Sequence, residues 1–136
     1  MIVFVGEKRS KRAIELDVTW EDAALASRTL HRALDRIGLR DRIVFANLWT
    51  DDGDIDLGTV ELLRLSVQRR RTIVGLGRVV GRRLRSLQIP HKQMIHPAAR
   101  GAIRAKEIYI NYVREILTSP ASEYRWTPDK TRGENR

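Results

Sequence analysis

Glu7, Asn47 and His96 are the side chains best suited to act on a polar substrate, and each stands at the end of a short apolar run. Glu7 follows Ile2-Val3-Phe4-Val5-Gly6, Asn47 follows Ile43-Val44-Phe45-Ala46, and His96 follows Gln93-Met94-Ile95. Runs rich in β-branched and aromatic residues read as buried strands. A carboxylate carries negative charge, and a carboxamide offers both a donor and an acceptor. An imidazole at a strand end can stabilise negative charge that develops on a substrate. Pro97 follows His96 and reads as a helix start, where its missing N–H costs nothing and the helix terminus adds positive potential.

Other candidates are weaker. His31 lies among charged residues of a helix and reads as solvent-facing. His91, between Pro90 and Lys92 in a basic loop, is a candidate phosphate contact. No two histidines have metal-ligand spacing, and no serine sits in a nucleophile elbow. The chain has no cysteine, which excludes disulfides, thiolate catalysis, Cys-ligated zinc and iron–sulfur clusters. Neither a metal nor an organic cofactor is expected.

Positioning these residues is the task of alternating strands and helices. The expected strands are Ile2–Val5, Ile43–Ala46, Thr72–Leu76 and Gln93–Ile95. Lys8–Val18 is polar and irregular and reads as a loop. Thr19 has the look of an N-cap, with Asp22 in capping-box position. Ala23, Ala26, Leu30, Ala33, Leu34 and Ile37 then recur at helical spacing until Gly38 stops the helix. Asp51-Asp52-Gly53-Asp54 reads as a turn. Val60, Leu63 and Val67 mark a second helix, Val79, Val80, Leu84 and Leu87 a third. A fourth is expected from Pro97 through Ile103, Ile110, Val113 and Leu117. This order predicts a three-layer α/β/α sandwich with a four-stranded, mainly parallel sheet. In such open sheets ligands bind beyond the carboxyl ends of the strands. Gly6-Glu7, Asn47, Leu76-Gly77 and His96 would all gather there. Gly75, Gly77 and Gly81 superficially suit a dinucleotide fingerprint, but the spacing is wrong and no acid follows to hold a ribose. A tight turn with close helix–strand packing accounts for them instead.

The 136 residues fit one domain, expected over 1–118, with a polar tail over 119–136. Tyr124 and Trp126 are the large apolar residues of that tail. No apolar run approaches the roughly 20 residues that span a bilayer, so a cytoplasmic protein without membrane contact is expected. The net charge of +9 is uneven: residues 62–106 hold 12 Lys/Arg and no acid, whereas residues 1–61 hold 9 Lys/Arg against 12 Asp/Glu. Clustered cations gain free energy by releasing counterions from a polyanion, which points to nucleic acid.

Phe4-Val5-Gly6-Glu7, Asn47, Ile73-Val74-Gly75-Leu76-Gly77 and Ile95-His96-Pro97-Ala98-Ala99-Arg100 together resemble the uracil-DNA glycosylase superfamily. The likeness runs in order over residues 2–117. It is nearest to the branch with a Gly-Glu first motif and a His-Pro second motif. Lys8-Arg9-Ser10 stands where that branch has Ala-Pro-Gly, and its cluster-binding cysteines have no counterpart. The resemblance implies a protein that flips a uracil or modified base from single- or double-stranded DNA and hydrolyses its N-glycosidic bond. Glu7 and His96 would be catalytic, with Glu7 beside the sugar and the attacking water. Gly6, Trp20 and Asn47 would bind the base: Gly6 by close approach, Trp20 by stacking, Asn47 by reading its edge. Lys8, Arg9, Arg78, Arg82, Lys92, Arg100 and Arg104 would hold phosphates, with Arg100 where the family inserts a wedge into DNA. Two alternatives are a non-catalytic nucleic-acid or nucleotide-binding module of the same fold, and an enzyme acting on a modified free nucleotide.

Overall fold

The computed structural model describes residues 1–25, 27–97 and 106–118. Four strands, β1 (Ile2–Gly6), β2 (Ile43–Asn47), β3 (Thr72–Leu76) and β4 (Lys92–Met94), form one all-parallel sheet in the order β2-β1-β3-β4. Five helices are interleaved with them: α1 (Lys11–Leu16), α2 (Ser27–Ile37), α3 (Leu57–Gln68), α4 (Arg78–Ser86) and α5 (Lys106–Thr118). Parallel strands require long crossovers, and the helices supply them.

Side chains alternate across each strand, so the sheet feeds two cores. Phe4, Val74, Leu76 and Met94 join Leu30, Ala33 and Leu34 of α2 and Tyr109, Ile110 and Val113 of α5. On the opposite face, Val3, Val5 and Ile73 join Leu63 of α3 and Val80 and Leu84 of α4. Coverage of both faces explains why β1 and β3 carry near-continuous apolar runs and do not alternate with polar residues. Each fully buried Leu, Val or Phe contributes about 1.5–3 kcal/mol relative to exposure.

The region between β1 and β2 departs from the sequence expectation. Residues expected as a loop include α1, with Ser10 Oγ accepting from Ala13 N at 3.1 Å and Asp17 closing it at φ 53°. This helix buries none of its residues, so no apolar periodicity could betray it. The capping box at Thr19 and Asp22 is real, but it opens only a single 3-10 turn, Trp20–Asp22. Ala23 and Leu25 adopt left-handed backbone, and α2 begins at Ser27. The chain is broken there because Trp20 is held at the sheet edge by its own contacts, described below. Ala26, expected on the helix, lies outside the described residues.

Elsewhere the elements fall close to expectation. Gly38 (φ 82°) ends α2, with Leu39 N donating back to Leu34 O at 3.0 Å. Asp56 caps α3 through Thr59 N at 3.1 Å. β4 ends at Met94, so His96 stands two residues beyond the strand. The start of the last helix, Ile103 and the tail from Ser119 lie outside the described residues. Among the described residues, no helix is long and apolar enough to cross a membrane.

Candidate functional site

Parallel pairing sets Gly6 of β1 directly beside Asn47 of β2. The pairing continues past the strands, with Leu48 N donating to Gly6 O and Trp49 N to Glu7 O, each at 2.9 Å. Glu7 therefore leaves a fixed backbone while its side chain is exposed. Phe45, two residues before Asn47, shares its face of β2 and stacks on Phe4 at 5.5 Å.

Trp20 reaches into this corner from its 3-10 turn. Its indole lies parallel to the Phe45 ring, 5.6 Å between centroids and 6° between planes. Its Nε1–H donates to Asn47 Oδ1 at 2.7 Å. It also crowds Gly6, where a Cβ would lie 2.7 Å from Trp20 Cζ2 and 2.8 Å from Asn47 Oδ1. Only glycine fits there without displacement. The Trp20 main chain is held as well, because its carbonyl accepts from His31 Nε2 at 2.7 Å.

His96 completes the corner, its ring 6.2 Å from the Trp20 ring and tilted by 55°. It lies against Gly77, the residue that opens α4 with φ 93°. That backbone conformation is strained for any residue with a side chain. Burial lowers the His96 pKa from its ordinary value, and the nearby Glu7 carboxylate partly opposes the shift. The segment before His96 is tied to α5, since Ile95 N donates to the Tyr112 hydroxyl at 2.7 Å. The Tyr112 phenol is itself pushed up in pKa by burial. On β4 itself, Gln93 Nε2 donates to Gly77 O at 2.6 Å. Gly81 leaves the room that the Gln93 amide occupies.

A cleft of about 110 Å³ opens beside Trp20, lined among others by Lys8, Arg9, Leu25, Asn47 and His96. Arg9 forms its wall through a clamp. The guanidinium binds Asp51 at 2.6 Å, Asp17 at 3.4 Å and the Val18 carbonyl at 3.3 Å. That bond keeps the Asp51 carboxyl below, and the Arg9 guanidinium above, their ordinary pKa values. Lys8 is exposed at the rim.

The expected site residues thus divide. Gly6, Glu7, Trp20, Asn47, His96, Lys8 and Arg9 gather at one sheet edge. Arg78 opens α4 at that same edge, and Arg82 follows one turn on, both exposed. Lys92 begins β4 beside Val74, midway along β3, and its ammonium donates to the Ile116 carbonyl of α5 at 2.9 Å. Arg100 and Arg104 lie outside the described residues. Two histidine expectations are overturned. His31 is 5% exposed, packed on Phe45 and bonded to Trp20, not solvent-facing. His91 is 1% exposed, with Nδ1 2.9 Å from the Ile89 carbonyl, and cannot meet a phosphate. Among the described residues, no group of three or more His, Asp and Glu could hold a metal ion.

Phe45, His31 and Asp51 are site residues that the sequence reading missed. Phe45 was within reach of it, because a strand residue two before Asn47 must share its face. His31 and Asp51 gave no local signal. Comparison with known proteins finds no family model, no curated protein and no solved structure that matches the chain.

Proposed function

We propose that the chain is a small DNA glycosylase of the uracil-DNA glycosylase type, with that superfamily's three-layer fold, which hydrolyses the N-glycosidic bond of a flipped uracil or modified base. The observation that carries the reading is the convergence of Glu7, Asn47 and His96, from three separate strand ends, around Gly6 and an aromatic floor. A flipped base needs aromatic contact and hydrogen bonds to its edge. The Phe45 face supplies the first, and the Asn47 amide the second.

In the reaction, the bond from the sugar C1′ to the base nitrogen breaks and its electron pair leaves with the base. The sugar becomes oxocarbenium-like, and the Glu7 carboxylate stabilises it and orients water toward C1′. As it adds, that water passes a proton to the Glu7 carboxylate and thence to solvent, and the departing base anion takes up a proton from solvent. His96 is held toward its neutral form by burial, so its ring N–H acts as a hydrogen-bond donor to the anionic base. A neutral donor placed at developing charge stabilises the transition state without prior proton transfer. Arg78, Arg82 and Lys8 stand near enough to the edge to meet flanking phosphates.

Release of abasic sites from single- and double-stranded oligonucleotides tests the reading, run with uracil and a panel of modified bases. Glu7→Gln, Asn47→Ala and His96→Ala should each slow excision about 10²–10³-fold while the domain stays folded. Normal turnover by all three variants would overturn it. Salt-sensitive DNA binding without base release would favour the non-catalytic module.

A further inference from the structure

Three features of this edge suit a flat ring bearing an N–H: the face of Phe45, the bare backbone of Gly6 and the Asn47 carbonyl oxygen. The Trp20 indole already uses all of them. Its N–H can only donate, so the Asn47 amide must present its oxygen. A nucleobase cannot add to these contacts. It can only take them over.

We propose that Trp20 is an internal stand-in for the base, filling its place in the free protein, and that a base with a ring N–H enters only as the indole swings out. The inference rests on the base-site reading given above. The backbone that carries Trp20 is short and held by its neighbours, which leaves the side chain as the part that can move. That backbone is one 3-10 turn, flanked by the non-glycine residues Asp17, Ala23 and Leu25 at φ 53°, 53° and 54°. Left-handed backbone of this kind persists only where neighbouring contacts hold it. His31 pins the Trp20 carbonyl, so the side-chain torsions are the hinge. The adjoining cleft, with Val18, Ala24 and Leu25 in its wall, offers apolar surface to receive the ring.

A protein whose binding-competent state is a minor one binds more weakly in proportion to that population. Removing the stand-in should therefore tighten base binding. Calorimetric titration of the full chain with free uracil, hypoxanthine and xanthine provides the test. Trp20→Ala should bind at least one of these bases about tenfold more tightly than the unaltered chain, and adding Asn47→Ala should remove the gain. Trp20→Phe keeps the stack on Phe45 but has no N–H, and should gain in the same direction; it guards against misfolding of the alanine variant. In the unaltered site, with Trp49→Phe and Trp126→Phe leaving Trp20 as the sole indole of the original three, saturation with base should red-shift the emission and raise acrylamide quenching.

Equal or weaker binding by both Trp20 variants, still dependent on Asn47, would make Trp20 a stacking platform. It would overturn the stand-in and leave the base site intact. Unchanged Trp20 emission at saturation would also overturn the stand-in alone. Binding of no base by any of these proteins, or binding indifferent to Asn47→Ala, would overturn both readings together.

Discussion

Gly6 has no side chain, and the Trp20 indole fills the space that one would need. Gly6→Ala must push that ring off Phe45 or shift β1. Overpacking of this kind costs about 1–3 kcal/mol, and urea denaturation followed by tryptophan emission should report both the loss and the displaced ring. His96 is governed by two opposing influences, burial and the Glu7 carboxylate, of which burial is the larger. Its ring should titrate below the ordinary value of about 6.5, read from the His96 Hε1 shift by NMR. Glu7→Gln removes the influence that raises the pKa, so the midpoint should fall further. Because the folded state holds this proton less tightly than the unfolded chain, stability is full above about pH 6.5 and declines as the pH falls through the folded-state value. A midpoint that rises in Glu7→Gln would contradict the assigned coupling.

Elements differ in how far local sequence specifies them. α3 carries its own signals, an Asp56 cap and buried Leu63. α1 carries only the Ser10 cap and buries nothing. Its existence depends on what surrounds it, including Arg9, which ties its amino end to Asp51 across 42 positions of sequence. The break between the Trp20–Asp22 turn and α2 likewise contradicts an intact helical pattern from Ala23 to Ile37, because the contacts of Trp20 outweigh one more turn of helix. Lys92 belongs to this scale too. A cation on the last carbonyls of a helix is worth about 0.3–1 kcal/mol. Lys92→Met should therefore lower stability by that order in thermal denaturation and, if the protein binds DNA as proposed, leave that affinity unchanged. A loss of DNA affinity in this variant without loss of stability would return Lys92 to the phosphate surface.

At the scale of the whole molecule, the sheet divides a basic stretch that looks continuous in sequence. Arg78 and Arg82 rise from the carboxyl edge, beside the cleft. Arg69, Arg70 and Arg71 precede β3 and sit at the opposite edge, roughly 16 Å away for a five-residue strand at about 3.3 Å per residue. If the cleft faces DNA, Arg78→Ala and Arg82→Ala should each reduce the slope of log affinity against log salt by about 1. Arg69→Ala should leave that slope alone. Fluorescence anisotropy over a salt series separates these cases, and an equal effect from Arg69 would mean that the two edges act together.

Much of this molecule is written locally. Short β-branched runs, apolar residues at helical spacing and the stop at Gly38 were enough to order the strands and helices. The carboxyl-end rule then brought Glu7, Asn47 and His96 to one edge, because a parallel sheet leaves no other place for strand ends to go. Contacts between distant residues were not legible. That Trp20 occupies the Asn47 amide, that Arg9 is clamped by Asp51, that Lys92 serves α5 and that His31 and His91 are buried all depend on how the helices dock. Periodicity states which face of an element is apolar. It carries no information on which partner that face meets, since hydrophobic burial is non-directional and many pairings bury similar area. Only the docked chain selects one.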